Sequence, residues 1–143
     1  MAKFGGKTPG AICAPSPSMP IQSYRDLSVW QTSMRLAKDV EHLASRFPAH
    51  HKYGLASQMR RASSSIAFNI AEGQPQPTKV YIHHLMIALG SEAELQSQLK
   101  LVESTTLATL VEIDLLLLRT DEIGRMLRGL VRSLRAHLAK KER

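Results

Sequence analysis

Apolar residues recur every three or four positions along the chain from about residue 23 onward. This is the period of α-helices that each bury one face. The stretch Tyr53–Gly73 shows the period most clearly. Five of its apolar residues fall within roughly an 80° arc of a helical wheel; they are Leu55, Met59, Ala62, Ile66 and Ile70. We expect Gly73 to end this helix in a left-handed conformation, and Pro75 and Pro77 prevent its continuation.

The opposite face of this central helix is made of small residues where a solvent-facing helix carries long charged ones. Its members are Arg60, Ser64, Ala67 and Ala71, with Phe68 beside them. Because small side chains let another helix approach closely, we expect this helix to pack on two sides.

A helix before it is predicted from about Ser23 to Phe47, where Pro48 stops it. Ser23 and Asp26 have the spacing of a capping box. The predicted apolar stripe consists of Trp30, Met34, Ala37, Val40, Ala44 and Phe47, widened by Val29, Leu36 and Leu43.

Two further helices are predicted after the prolines. The third begins at Thr78 as its N-cap and continues to about Thr105. It carries two apolar lines, which are Val80, Ile87, Leu95 and Val102, and Ile82, Leu89 and Ala93. A bundle core needs only one line, so the second predicts a subunit interface. The fourth begins with a capping box of Thr109 and Glu112. Its leucine-rich seam is Leu116, Ile123, Leu127, Leu130, Leu134 and Leu138.

Four amphipathic helices with short connections predict an all-α fold, an antiparallel up-down-up-down four-helix bundle over residues 23–139. Residues 1–22 are rich in glycine and proline and are predicted to be a disordered extension, and residues 140–143 a basic tail. Cys13 is the only cysteine, so no disulfide forms within one chain. No apolar run approaches the roughly 20 residues that span a bilayer, and the first residues lack the apolar region of a signal peptide. We therefore expect a cytoplasmic protein without membrane contact.

The central stretch, written YGLxxQxRRAxxSIxxNIAEG, resembles the core motif of a family of small bacterial four-helix-bundle proteins. The family is named after the 23S rRNA intervening sequence, and its members are also called S23-like proteins. The likeness spans about Tyr24 to Leu134 and includes 24–27, 29–31, 47–48, 87–91, 94–95, 122–124 and 126–127.

This resemblance implies a homo-oligomer, since characterised members of the family look like pentameric rings or barrels. It implies no established biochemical activity. The family is also similar to the accessory pentamers of diversity-generating retroelements, which bind a reverse transcriptase and its RNA. If the chain is of that type, such an enzyme is its partner.

The formal net charge is +7, and most of the excess lies after residue 118, where eight Lys/Arg face three Asp/Glu. Four arginines there advance by 3, 4 and 3 positions and share roughly an 80° arc beside the leucine seam. With the two lysines that follow, they are candidates for contact with consecutive phosphates of RNA or DNA; the set is Arg125, Arg128, Arg132, Arg135, Lys140 and Lys141. No aromatic residue is interleaved, so we expect contact by charge and shape rather than base stacking. The alternatives are a solvated face or ion pairs with acids of a neighbouring subunit.

A second polar set lies on the central helix and the third helix, and consists of Arg60, Arg61, Asn69, Glu72 and Glu94. Arg61 and Glu72 are three turns apart, so each needs a partner on another helix or chain. Glu94 is a candidate partner for Arg60 or Arg61. We expect this set to fix helix register or oligomer geometry, and a binding pocket is the alternative.

Enzyme and metal chemistry find little support. The pairs His50-His51 and His83-His84 diverge by about 100° on a helix, and no Glu-x-x-His di-iron motif occurs. The serine run 63–65 lacks a nucleophile elbow, and no phosphate-binding glycine loop is present. We predict no catalytic residues, no metal, no cofactor and no small-molecule substrate.

The predicted function is a non-enzymatic oligomeric scaffold that contacts nucleic acid by charge. The alternative is a structural or protein-interaction homo-oligomer without a nucleic-acid role. An uncharacterised enzyme remains a third hypothesis, and it requires a pocket lined by Arg60, Arg61, Asn69 and Glu72.

Overall fold

The structure is a computed structural model, and it describes residues 21–143. Within these residues it contains four α-helices, two one-turn 3-10 helices and no strand, which confirms the all-α prediction. The helices are α1 (Ser28–Ala44), α2 (Leu55–Gly73), α3 (Thr78–Glu103) and α4 (Leu110–Lys141), with 3-10 turns at Tyr24–Asp26 and Ala49–His51. Cys13 and nearly all of the predicted extension 1–22 lie outside the described residues.

The start of α1 differs from the prediction. The capping box forms, with the Ser23 backbone N–H donating to the Asp26 carboxylate over 3.1 Å, but it closes the 3-10 turn rather than the α-helix. Leu27 then adopts an extended backbone and α1 begins at Ser28. A capping box satisfies the free N–H groups of any helical turn, so the motif alone does not reveal which helix type follows.

The core face of α1 is also rotated from the prediction. Met34, placed in the predicted stripe, is 38% exposed. The core is filled by all three flanking residues, Val29, Leu36 and Leu43, together with only part of the predicted stripe, namely Val40, Ala44 and Phe47. The predicted apolar residues cover nearly half of the circumference of α1, so their pattern does not show which of them face the core.

The predicted core face of α2 is confirmed, because Met59, Ala62, Ile66 and Ile70 are all buried. The small face has its explanation inside the chain: α2 packs against both α1 and α3, and Ala67 is fully buried. Phe68, beside that face, stays exposed.

Gly73 does not adopt the predicted left-handed conformation, and no described glycine has a positive φ. It is the last residue of α2, and what it provides is space. A Cβ at this position would lie 2.7 Å from the Cβ of His84 and 2.9 Å from Cδ2 of Tyr81. Only glycine therefore lets α3 approach this closely.

The helix α3 begins one residue earlier than predicted, since Pro77 is the N-cap and Thr78 already lies in the helix. Its buried line is Tyr81, Leu85, Ala88, Leu95, Leu99 and Val102. The predicted first line therefore divides, because Leu95 and Val102 are buried while Val80 and Ile87 are each 41% exposed. The line expected to form a subunit interface packs in part on the chain's own core, through Ile82 and Leu89.

The capping box of α4 is confirmed. The Glu112 backbone N–H donates to the Thr109 hydroxyl, and the Thr109 N–H donates to the Glu112 carboxylate. The leucine seam is buried at Leu116, Ile123 and Leu127 and half-buried beyond them. The helix continues to Lys141, into the predicted tail. No helix of the described chain is both long and apolar enough to cross a membrane.

Candidate nucleic-acid interface

The four arginines of the predicted stripe are all exposed on α4, but they differ in their surroundings. Arg125 donates to the carboxylate of Asp121, one turn earlier, over 2.7 Å. An exposed pair of this kind contributes little to stability, yet it lowers the charge that Arg125 offers to a polyanion.

Arg128 lies near a buried acid of α3. Glu92 is only 5% exposed, and Gly124 makes room for its side chain. A Cβ on Gly124 would lie 3.0 Å from Oε1 of Glu92 and 3.2 Å from Nη1 of Arg128. Burial raises the pKa of Glu92, and the nearby Arg128 guanidinium lowers that pKa in part. The charge of Arg128 is thus opposed from within the protein.

Arg132 and Arg135 have no carboxylate within 4.0 Å in the part of the chain that the structure describes. Nη2 of Arg135 lies 4.0 Å from the sulfur of Met86 on α3. Together these side chains border an open groove between α3 and α4 with a volume of about 450 Å³. Its lining is Met86, Leu89, Arg128, Val131, Arg132 and Arg135, without an acidic residue.

The basic surface continues to the end of α4. Lys140 and Lys141 are exposed in its last turn. Glu142 follows and lies 3.6 Å from the ammonium of Lys79 at the start of α3. From residue 123 to residue 141 there is no acidic residue, so every Asp, Glu, Lys or Arg side chain in this half of α4 is a cation.

The first half of α4 has the opposite character, which the sequence analysis missed. It carries four acids, namely Glu112, Asp114, Asp121 and Glu122. It also exposes large apolar side chains, and Leu110, Val111, Leu115 and Leu118 are between 49% and 78% exposed. A wide groove of about 910 Å³ runs along it beside α3, lined by Gln96, Ser97, Lys100, Asp114, Leu117, Leu118 and Asp121. In the sequence, this difference between the two halves of α4 is visible as a change from mainly acidic to basic residues near residue 123.

The second predicted set of polar residues is divided between helices. Arg60 pairs with Glu41 of α1 at 2.6 Å, so the prediction of Glu94 as its partner is wrong. The Glu94 carboxylate instead accepts a hydrogen bond from Gln98 over 3.2 Å, and Arg61 is exposed. A wheel gives the direction of a side chain but not the helix that it meets.

Asn69 and Glu72 face α3 and meet His84 there. Oδ1 of Asn69 lies 3.1 Å from Nδ1 of His84, and Oε2 of Glu72 lies 3.8 Å from the same nitrogen. The Asn69 amide also donates to Ser65, whose hydroxyl accepts from Ser91 at 2.8 Å. Arg60 and Asn69 therefore turn toward different helices, and the pocket that an enzyme would need is not assembled from them.

Metal-binding geometry is likewise not found between residues 21 and 143, where no three His, Cys, Asp or Glu side chains come together as a metal site requires.

The fold and the site define a class, an all-α four-helix-bundle protein with a basic half-helix exposed along one edge. The 23S rRNA-intervening sequence protein family matches residues 25–129. The chain belongs to this family, which confirms the resemblance.

A similar solved structure is described as a protein of unknown function from the S23 ribosomal protein family of Bacteroides thetaiotaomicron VPI-5482. It is 25% identical, has a TM-score of 0.68, and the match covers 72% of this chain and 97% of that chain. No curated protein gives a significant match.

Proposed function

We propose that the protein is a non-enzymatic, oligomeric scaffold that contacts RNA or DNA by charge. The observation that carries this proposal is the second half of α4, where Arg132, Arg135, Lys140 and Lys141 are exposed and no acid lies between residues 123 and 141. Four cations over about 14 Å of helix, at 1.5 Å per residue, match the close spacing of phosphates along a strand.

The four arginines of α4 do not contribute equally to the proposed contact with phosphates. Arg132 and Arg135 supply most of the attraction because no carboxylate is near them. Arg125 and Arg128 contribute less, since Asp121 pairs with the first and the buried Glu92 opposes the second. Phosphate contacts of this type carry affinity without sequence information.

The assembly belongs to the same proposal, with antiparallel up-down-up-down subunits in a ring, a homopentamer by resemblance to the family. Two separate apolar surfaces support it. One is the first half of α4, with Val111 and Leu118. The other is the outer side of α2 and α3, with Phe68, Val80 and Ile87. Two different surfaces on one subunit are what a head-to-tail ring uses. A ring repeats the basic half of α4, so weak contacts add as avidity. In a retroelement setting the RNA would be held beside a reverse transcriptase.

The test is binding of an RNA and a DNA oligonucleotide over a salt series, with the double variant Arg132→Ala/Arg135→Ala. We expect binding that weakens steeply with salt, and a slope of log K against log salt that falls by roughly 1.4–1.8 in the variant, as expected for two lost phosphate contacts. The matched control is Arg35→Ala/Lys38→Ala, which removes two exposed charges from α1 and should leave the slope close to wild type. No binding at low salt, or an equal loss in the control, would contradict the proposal.

A structural oligomer without nucleic acid is the second candidate, and the opposite charges of the two halves of α4 favour it. Asp114 and Asp121 of one subunit could meet the arginines of another. In that case the Arg132→Ala/Arg135→Ala variant, or high salt, should dissociate the oligomer in light scattering. An oligomer unchanged by both would remove this candidate.

A further inference from the structure

We propose that the groove between α3 and α4 takes an unpaired nucleotide, with its base on the apolar floor and its phosphates on the arginine rim. This inference rests on the proposed function and narrows its ligand to single-stranded nucleic acid.

The floor of the groove comes from both helices. Leu89 of α3 and Val131 of α4 are largely buried, and Met86 remains 45% exposed above them. The volume of about 450 Å³ lies within the range of about 300–1,000 Å³ that is usual for small-molecule sites. The groove is therefore large enough for a flat group of the size of a nucleobase.

The rim is cationic. Arg128, Arg132 and Arg135 border the same groove, and Arg135 reaches across to Met86 at 4.0 Å. A guanidinium plane can stack on a base as well as bind a phosphate. The thioether of Met86 is polarizable and adapts to the shape of a ring.

The chemistry of the groove selects among polyanions. A duplex keeps its bases stacked and offers a helix phosphates and base edges but no base face, so it cannot use the apolar floor. An acidic peptide lacks planar groups between regularly spaced charges. An unpaired strand alternates planar bases with charged phosphates, and it can continue from the groove along Lys140 and Lys141. Base stacking is not expected from α4 alone, because no aromatic residue is interleaved with its arginines, but Met86 and Leu89 come from α3.

The experiment measures affinity of the full chain at one low salt concentration for three polyanions, an oligouridine, a duplex of equal length, and inorganic polyphosphate. We expect the oligouridine to bind most tightly. Met86→Ser should weaken oligouridine binding roughly three- to tenfold, less than the loss at an aromatic platform, and leave polyphosphate binding unchanged. Met86→Leu keeps the floor apolar and should retain the preference. The control Met34→Ser alters an exposed methionine of α1 and should change neither.

The outcomes separate this inference from the proposed function. Equal affinity for all three polyanions, or an equal loss for all three in Met86→Ser, would overturn base insertion while charge-based binding stands. No binding to any of them would overturn both. Because Met86 is exposed, circular dichroism should show Met86→Ser folded as wild type. Met86→Leu supports the inference if it retains the preference for oligouridine, and loss of the preference in Met86→Leu would count against an apolar floor.

Discussion

The two helix pairs that share α3 are built in different ways. Between α2 and α3 the approach is close and several polar side chains hydrogen-bond across the pair, although the buried Tyr81 hydroxyl has no partner among the described residues. Gly73 lets His84 and Tyr81 pack against the backbone of α2, and Ser65, Asn69, His84 and Ser91 form hydrogen bonds across the pair. This surface of α3 has little left to offer another molecule.

The contact between α3 and α4 is more open. Two grooves of about 450 and 910 Å³ lie along it, and the acid buried there, Glu92, lies near Arg128 without forming an ion pair within 4.0 Å in the described chain. Arg132 and Arg135 are exposed beside it. The difference indicates a division of roles, since one pair of helices holds the bundle together and the other leaves charge and surface available for a partner.

Among the variants that test the difference between the two helix pairs, Gly73→Ala is expected to change stability most. The new methyl group would meet His84 and Tyr81 at less than 3.0 Å. Overpacking of this kind costs about 1–3 kcal/mol, which exceeds the gain in helix propensity of up to about 1 kcal/mol. We expect a net loss of up to about 2 kcal/mol in the free energy of unfolding, measured by urea denaturation.

Gly90→Ala is the matched control, since Gly90 is an exposed glycine of α3 whose Cβ would meet nothing within 4 Å. Here only the helix propensity changes, so we expect a gain of about 0.5–1 kcal/mol. If both variants changed stability in the same direction, the close approach at Gly73 would not be a stabilising contact.

The next effect is a pH dependence at the α3–α4 contact, tested with Glu92→Gln. Burial raises the pKa of Glu92 above 4.5, so the folded state binds the proton more tightly than the unfolded state. The stabilising contribution of the protonated group is complete below pH 4.5 and is lost as the pH rises through the folded pKa. Glutamine keeps the shape and removes the titration. We therefore expect the free energy of unfolding of the variant, relative to wild type, to increase between pH 4 and pH 7, by about 1.4 kcal/mol for each unit of pKa shift.

The pKa of Glu112 is shifted in the opposite direction to that of Glu92, and Glu112 does not affect the difference between variant and wild type. Its pKa is lowered because it accepts the Thr109 backbone N–H and a hydrogen bond from Arg46, so its contribution is lost as the pH falls. The same loss occurs in wild type and variant and cancels in the difference. A constant difference across the pH range would show that the pKa of Glu92 is not raised in the folded protein.

The smallest effect on stability is expected for Gly124→Ala. The atoms nearest to its Cβ are the ends of the Glu92 and Arg128 side chains, at 3.0 and 3.2 Å, and flexible ends can move aside. The gain in helix propensity offsets most of that strain, so we expect a change below about 1 kcal/mol. Affinity for a polyanion should change only slightly, because Arg128 moves but contributes less to binding than Arg132 and Arg135. A loss of stability as large as that of Gly73→Ala would mean that the two contacts are equally rigid.

The sequence predicted α2 well because its apolar residues share one narrow arc. It failed on α3, whose apolar residues occur on most sides, so that Val80 and Leu95 were placed in one line although only Leu95 is buried. The sequence indicates that glycine is needed at position 73. The reason is the close approach of His84 from α3, which the sequence does not show.

The candidate site was predicted in part. The spacing of the arginines places them on one exposed face of α4, and the structure shows them there. The pairing of Arg125 with Asp121 lies within α4, but the surroundings of Arg128 depend on Glu92 and Gly124, which meet only when α3 packs on α4. The partner of Arg60 was missed for the same reason, since Glu41 lies on α1. Contacts between helices decide the surroundings of Arg128 and the partner of Arg60, and spacing within one helix does not predict them.

The most direct test of the division between the two helix pairs is crosslinking of the full chain to a 4-thiouridine oligonucleotide, with the sites mapped by mass spectrometry. We predict crosslinks in peptides that contain Met86–Leu89 and residues 128–141. Crosslinks concentrated on residues 61–72 of α2, or on residues 110–122 of α4, would contradict the account.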